Sequence, residues 1–220
     1  MRTRTGALTR SECRYVTWAA QLARKYNAEI MVEAVGGYGV GSGTDAIQPV
    51  LDYTNGFAKT QLWNYSSWLP DAVVILIGPN DYYSSTAAAV ERTDGAQKFI
   101  KLYLQLLSMV TTNYGYASDA TKPKLVHVCG GSLNGFDPCA DIQTAIQQFN
   151  ALHNGFTSYY TSITEVVWEQ INNCKGPGMK KCNGKSEFNG CDGHYNEQGH
   201  AKLMEGISAQ FEQIMGWGSS

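Results

Sequence analysis

The hydrophobic positions of the chain follow two different periods, and segments with the two periods alternate along the sequence. Helical spacing predicts helices over residues 11–26, 97–110, 140–156 and 197–215, with a shorter helix over residues 45–53. Runs of aliphatic and β-branched residues predict strands over residues 30–35, 72–77, 124–128 and 165–168. This alternation predicts a single α/β domain whose parallel sheet is covered by helices on both faces.

The ends of these predicted elements indicate which loops are expected to hold catalytic or binding residues. Ser11 is the predicted N-cap of the first helix. In open parallel sheets, ligands bind beyond the carboxyl ends of the strands. Those ends lead into the loops over residues 36–44, 78–86, 129–138 and 169–196. Three of these loops carry residues suited to catalysis.

Composition narrows the class of protein. The 220-residue chain is 43% hydrophobic and has a net charge of −2 without any run of like charges, which argues against nucleic acid or an anionic membrane surface as a partner. No apolar stretch is long enough to predict a transmembrane helix. Residues 1–10 are polar and basic, lack the apolar core of a signal peptide, and stay unassigned, whereas residues 11–220 form the predicted domain.

The six cysteines favour disulfides, because most of them lie in or beside loops rich in Gly, Asn and Pro. A zinc site is the alternative, but the chain has no Cys-x-x-Cys pair. We expect Cys174 to be bridged to Cys182 across a short glycine-containing loop, and Cys139 to Cys191 as the next choice. Cys129, within a predicted strand, is expected to be a buried free thiol.

Two of the strand-end loops hold candidate oxyanion donors. Asn80 follows the strand over residues 72–77 directly, and a side-chain amide fixed there can donate to an oxyanion, although Gly78-Pro79-Asn80-Asp81 also has the composition of a plain turn. Gly37 lies in a glycine-rich turn after residues 30–35, where backbone N–H groups can point at a ligand. A sharp strand-to-helix turn is the alternative there.

The loop before the last helix holds a candidate base. His194 follows Asp192 at a spacing of two, so that the carboxylate can hold the imidazole in one tautomer, as a general base requires. An ordinary surface loop is the alternative. His200 is a rival base, but it lies inside the predicted last helix and is expected to pack there.

Taken together and in this order, these motifs resemble the SGNH (GDSL-like) hydrolases. Gly37 is similar to the family's glycine block, and Gly78-x-Asn80-Asp81 fits its Gly-x-Asn-Asp block. The short Asp192-x-His194 form and the aromatic run over residues 63–71 are most similar to carbohydrate esterase family two. The resemblance implies a three-layer α/β/α flavodoxin-like fold and a serine ester hydrolase that removes acetyl groups from carbohydrates.

The resemblance also assigns roles to the residues. His194 and Asp192 would activate the serine, Asn80 and Gly37 would bind the oxyanion, and no metal or organic cofactor is implied. Gly37, Asn80 and His194 should then lie on one edge of the sheet. The aromatic residues Tyr82, Tyr83 and Tyr195 are candidates for stacking on sugar rings, or else simply pack. The intact protein would be secreted, with an acetylated carbohydrate or another small ester as its substrate.

One motif of the family is missing. The chain contains no Gly-Asp-Ser sequence, and residues 1–10 include no apolar strand to precede one. The resemblance therefore implies a truncated chain that lacks the first strand of the sheet and esterase activity. Residues 30–35 and 72–77 would then flank an empty slot or pair directly. The alternatives are a catalytically dead carbohydrate-binding relative and a non-functional fragment.

Overall fold

Helices and strands alternate along the described chain, as the hydrophobic pattern predicts. The structure is a computed structural model, and it describes residues 16–41, 45–54, 59–83, 92–115, 123–129, 138–153, 158–163 and 195–218. The helices are α1 (Trp18–Lys25), α2 (Gln48–Leu51), α3 (Pro79–Tyr83), α4 (Arg92–Asn113), α5 (Cys139–Leu152) and α6 (Glu197–Met215). The strands are β1 (Ala72–Ile75), β2 (Lys124–Cys129) and β3 (Ser158–Ser162), and a 3-10 turn spans Tyr65–Ser67.

The three strands form one parallel sheet in the order β1-β2-β3. Val74 of β1 aligns with Val126 of β2, and Val126 aligns with Tyr159 of β3. The central strand β2 is therefore hydrogen-bonded on both edges. Its side chains from Leu125 to Cys129 are all buried, as expected for a parallel sheet that is covered on both faces.

Alternation along β2 divides the core into two layers. Val126 and Val128 pack with α1 and α6 on one face, whereas Leu125 and Cys129 pack with α4 and α5 on the other. Helices thus lie on both sides of the sheet, and the predicted three-layer α/β fold of flavodoxin type is confirmed. None of the described helices is both long and apolar enough to cross a membrane.

Both layers of helices run antiparallel to the strands. Lys124, at the amino end of β2, donates to the backbone oxygen of Ile214 near the end of α6. On the other face, Phe99 near the start of α4 approaches Gly78, beyond the carboxyl end of β1. The N-terminal ends of α4 and α6 therefore point toward the carboxyl edge of the sheet, where the candidate site is expected.

Local capping decides where the outer helices begin and end. The Thr17 side chain caps α1, accepting a bond from the Ala20 N–H at 3.3 Å, so the described helix begins after Thr17. Ser11, the predicted N-cap, lies outside the described residues. Asn196 caps α6 by accepting from the Gly199 N–H at 2.9 Å. Gly216 ends α6 in the left-handed conformation, with φ of 70°.

One predicted strand needs correction. No strand forms over residues 30–35, where Ile30, Met31 and Val32 are 45%, 50% and 52% exposed. The composition suits a strand, but no described segment forms a ladder with it. Residues 30–35 therefore do not form the direct pairing with β1 that was one of the two expected arrangements. The strand predicted over residues 165–168 lies outside the described residues and stays a prediction. The structure also has a strand that was not predicted, β3 at Ser158–Ser162.

The disulfide prediction was wrong for Cys129. A bond joins Cys129 at the end of β2 to Cys139 at the start of α5, with a Cα–Cα distance of 5.5 Å. Cys129 is therefore not a free thiol, and Cys139 cannot pair with Cys191. The two side chains meet because β2 ends and α5 begins at the same edge of the sheet. Cys174, Cys182 and Cys191 lie outside the described residues.

Candidate functional site

A sharp turn at Gly78 leads from β1 into the candidate site. Its φ of +125° is accessible to glycine and strained for other residues. A Cβ at this position would lie 3.2 Å from Phe99 and 3.3 Å from Pro138. The Asp81 N–H then donates to the Gly78 carbonyl at 2.9 Å. The turn predicted as an alternative is therefore present, and it opens the short helix α3.

The Asp81 carboxylate fastens the glycine loop to α3. Asp81 is only 4% exposed, and it accepts bonds from the N–H groups of Val40 at 2.9 Å and Gly41 at 3.1 Å. The backbone of Gly39 passes so close that a Cβ would lie 2.2 Å from the carboxylate oxygen. Position 39 therefore requires a glycine, because any side chain there would collide with the Asp81 carboxylate. Asp81 belongs to the Gly-x-Asn-Asp motif, but the motif alone does not predict this bonding role.

Asn80 reaches the same loop through its side-chain amide. Its Nδ2 donates to the backbone oxygen of Tyr38 at 2.9 Å. An amide nitrogen carries two hydrogens, so this bond leaves one of them for a ligand. The neighbouring Gly37 has a φ of +83°, with open space where its Cβ would be. In the described part of the chain, no partner is found for the Gly37 N–H.

The structure therefore brings two of the four predicted site residues together. Asn80 bonds to the backbone oxygen of Tyr38, the residue that directly follows Gly37, so both lie in the same part of the carboxyl edge. Asp192 and His194 lie outside the described residues. The described chain resumes at Tyr195, at the N-terminal end of α6 that points toward this edge.

His200 occupies the first turn of α6, as predicted. Its backbone N–H donates to the Asn196 carbonyl at 2.9 Å, and its ring contacts the edge of Tyr195 at a centroid distance of 6.0 Å. Burial lowers the pKa of His200 below its usual value, because the charged imidazolium is poorly solvated there. The ring is therefore neutral near pH 7.

Two of the three tyrosines that are candidates for sugar stacking have described side chains, and both pack against neighbouring residues. Tyr82 packs edge-on against Phe99 at 5.1 Å, and its hydroxyl bonds to the Asp141 carboxylate of α5. Tyr195 packs against the core on the α1 and α6 face. The Tyr83 side chain lies outside the described set. Within the described residues, no cluster of three His, Cys, Asp or Glu side chains is arranged to bind a metal.

Comparison with known proteins identifies relatives over nearly the whole chain. Cellulase/esterase CelE of Acetivibrio thermocellus is 27% identical over 224 residues, which cover 94% of this chain and 23% of that protein. This chain thus spans about a quarter of that relative's length. No protein-family model matches the chain.

Solved structures agree with the sequence match. A family two carbohydrate esterase from Clostridium thermocellum in complex with cellohexaose has a TM-score of 0.69 and 22% identity, over 94% of this chain and 56% of that one. A carbohydrate esterase described as having divergent catalytic and non-catalytic binding functions has a TM-score of 0.68 and 13% identity, over 95% of this chain and 63% of that one. This chain is therefore similar in sequence to a cellulase/esterase and shares the flavodoxin-like fold of solved family two carbohydrate esterases.

Proposed function

We propose that this domain is built for the hydrolysis of carboxylic esters on carbohydrates, by a Ser-His(-Asp) mechanism. The observation that supports this proposal is the contact between Asn80 and the glycine loop, because the Tyr38 carbonyl that Asn80 bonds directly follows Gly37 in the chain. The spare amide hydrogen of Asn80 and the Gly37 N–H are both suited to an oxyanion. A plain turn would not require the side-chain bond to Tyr38 or the buried bonds of Asp81.

In the proposed mechanism, a serine hydroxyl attacks the carbonyl carbon of an acetyl ester. His194 takes the hydroxyl proton and later gives it to the leaving sugar alcohol, while Asp192 orients the imidazole. Asn80 and Gly37 bind the negative oxygen of the tetrahedral intermediate. Water then attacks the acyl-serine with His194 as base, which releases acetate and restores the serine.

The 220-residue chain contains no Gly-Asp-Ser sequence, so we expect it to hydrolyse p-nitrophenyl acetate only at the background rate. The proposal is tested by fusing to its N-terminus the strand and Gly-Asp-Ser block of a carbohydrate esterase. Hydrolysis should then appear and should be lost in the His194→Ala variant. Activity that persists without His194 would contradict the mechanism.

A second candidate function is carbohydrate binding without catalysis. It is favoured by one structural neighbour whose active site displays divergent catalytic and non-catalytic binding functions, and by another solved with cellohexaose. Calorimetric titration of the 220-residue chain with cellohexaose distinguishes the two. Binding by a chain that stays inactive after the serine block is supplied would favour this second function.

The protein is proposed to act outside the cell. The Cys129–Cys139 bond supports this location, because disulfides persist mainly in oxidising compartments.

A further inference from the structure

The 3-10 turn at Tyr65–Ser67 carries the sequence of an N-glycosylation acceptor. Asn64-Tyr65-Ser66 is the one Asn-x-Ser or Asn-x-Thr triplet, with x other than proline, in the 220-residue sequence. The proposed ester chemistry does not use it. Such triplets become modified when they lie on the surface of a secreted protein.

The local geometry exposes the reactive atom of this triplet. Asn64 and Ser66 are both exposed. The Asn64 Oδ1 accepts from the Ser66 hydroxyl at 2.8 Å and from the Ser66 N–H at 3.2 Å. These two bonds hold the carbonyl side of the amide inward, and no described residue bonds to Asn64 Nδ2. The hydroxyl bond also withdraws electron density from the amide, so its N–H is easier to deprotonate.

The turn itself is firmly held by its middle residue. The Tyr65 hydroxyl donates to the Leu51 carbonyl at 2.8 Å, and its ring meets the edge of Tyr114 at 4.9 Å. The anchoring side chain therefore points inward while Asn64 and Ser66 face outward. A bulky group on Asn64 would displace none of these contacts.

The turn also lies far from the candidate site. Phe99 of α4 borders Gly78 at the carboxyl edge, whereas Tyr114 directly follows the other end of the same helix. The helix rises ~1.5 Å per residue, so the two ends are separated by roughly 20 Å. A glycan on Asn64 would thus extend from the opposite edge of the sheet.

We propose that Asn64 is N-glycosylated when the chain enters a secretory compartment, an inference that rests on the proposed extracellular location. The donor is an oligosaccharide linked through a diphosphate to a lipid. Asn64 Nδ2 forms a bond to the anomeric carbon, the bond from that carbon to the diphosphate oxygen breaks, and the amide proton is lost. The lipid diphosphate leaves with the bonding electrons.

The test is cell-free translation of the chain, fused to a cleavable secretion signal, in the presence of microsomal membranes. We expect one mass shift that endoglycosidase H removes and that Asn64→Gln and Ser66→Ala both abolish. A reference glycoprotein in the same reaction confirms that the membranes are active. An unmodified Asn64 beside a modified reference would overturn the proposal, whatever the outcome of the esterase assays.

A matched control tests whether the site suits the fold. Leu152 is 76% exposed, and Leu152→Ser creates a second acceptor triplet whose asparagine is Asn150. However, the Asn150 amide bonds to the backbone of Ser158, at 2.8 Å and 3.2 Å. A glycan on Asn150 should therefore lower the midpoint of thermal unfolding, and a glycan on Asn64 should leave it within a degree or two. An equal loss from the Asn64 glycan would contradict the proposal.

Discussion

The Asn80 side chain donates a hydrogen bond to the backbone oxygen of Tyr38 at 2.9 Å. This bond links the loop after β1 to the glycine loop, two segments that are distant in sequence. It also fixes the plane of the amide, so that its second hydrogen has a defined direction. A preorganised donor of this kind stabilises developing charge without having to reorient during the reaction.

We expect Asn80→Ala to reduce ester hydrolysis by the serine-supplied chain by about 100- to 1,000-fold, because one oxyanion donor is lost. The effect should appear in kcat, since the oxyanion forms only in the transition state. Steady-state kinetics on p-nitrophenyl acetate measure it. Ser66→Ala, at the opposite edge of the sheet, is the control and should leave kcat unchanged. A loss confined to KM would exclude the oxyanion role.

Asp81 should matter for stability even in the chain without a serine block. Asp81→Ala removes the acceptor of two backbone N–H groups in a buried setting, which should cost about 1–3 kcal/mol for each donor left unpaired. Urea unfolding followed by tryptophan fluorescence measures the loss. Glu205→Gln is the control, because Glu205 forms only an exposed pair with Lys202 and its loss should cost less than ~1 kcal/mol. Equal effects would show that Asp81 does not hold the loop.

The hydrophobic pattern was sufficient to predict those helices and strands whose own sequence has a clear helical or strand periodicity. The apolar strands β1 and β2 and the amphipathic helices α4 to α6 were predicted with small errors at their ends. The nearness of Asn80 to the glycine loop also followed, because both follow predicted strands and were expected at the carboxyl edge.

Elements that depend on a partner could not be predicted in the same way. β3 consists of Ser158-Tyr159-Tyr160-Thr161-Ser162, and its identity as a strand comes from pairing with β2. Residues 30–35 have the opposite property, since their composition suits a strand but no described segment pairs with them. The bond between Cys129 and Cys139 likewise depends on the distance between two backbone positions, which cysteine spacing does not encode.

The Cys129–Cys139 bond should stabilise the loop at the carboxyl edge. The two cysteines are 10 residues apart, and closing a loop of this length is worth about 2–3 kcal/mol. The double variant Cys129→Ser/Cys139→Ser should therefore lose that amount in urea unfolding. A reducing agent should lower the free energy of unfolding of the parent chain but should not act through this bond in the double variant, which lacks it. A double variant as stable as the parent chain under oxidising conditions would contradict the prediction.

His127 should make the fold sensitive to acid. Its ring is fully buried on β2, its Nδ1 is 2.8 Å from the Tyr103 hydroxyl, and burial lowers its pKa from 6.5 to about 3. The unfolded chain binds a proton between these two values and the folded chain does not. His127 therefore does not lower the free energy of unfolding above pH 6.5. Below pH 6.5 it lowers that free energy by up to ~1.4 kcal/mol per pH unit.

The pH dependence of urea unfolding between pH 7 and pH 4 tests this contribution. His127→Phe should make the curve flatter over this range. Tyr103→Phe keeps the buried histidine and should keep the slope, which makes it the control. Parallel curves for the parent chain and His127→Phe would show that other groups cause the acid sensitivity.

Residues 30–32 should promote aggregation, because three adjacent apolar side chains are each about half exposed. Val32→Lys should lower light scattering on concentration, without reducing the free energy of unfolding by more than about 0.5 kcal/mol. Gln147→Lys makes the same charge change on the exposed side of α5 and is the control. Equal improvement in both variants would indicate an effect of net charge alone.

The packing around Gly78 has a consequence for how this protein can change over evolutionary time. Phe99 of α4 and Pro138 before α5 both lie within 3.4 Å of the place where a side chain at position 78 would begin. The three positions share one small volume although they belong to three separate segments. A larger residue at 78 is tolerable only if 99 or 138 becomes smaller and the backbone relaxes from its positive φ. Among descendants of this sequence, a larger residue at 78 should therefore appear only together with a smaller residue at 99 or 138.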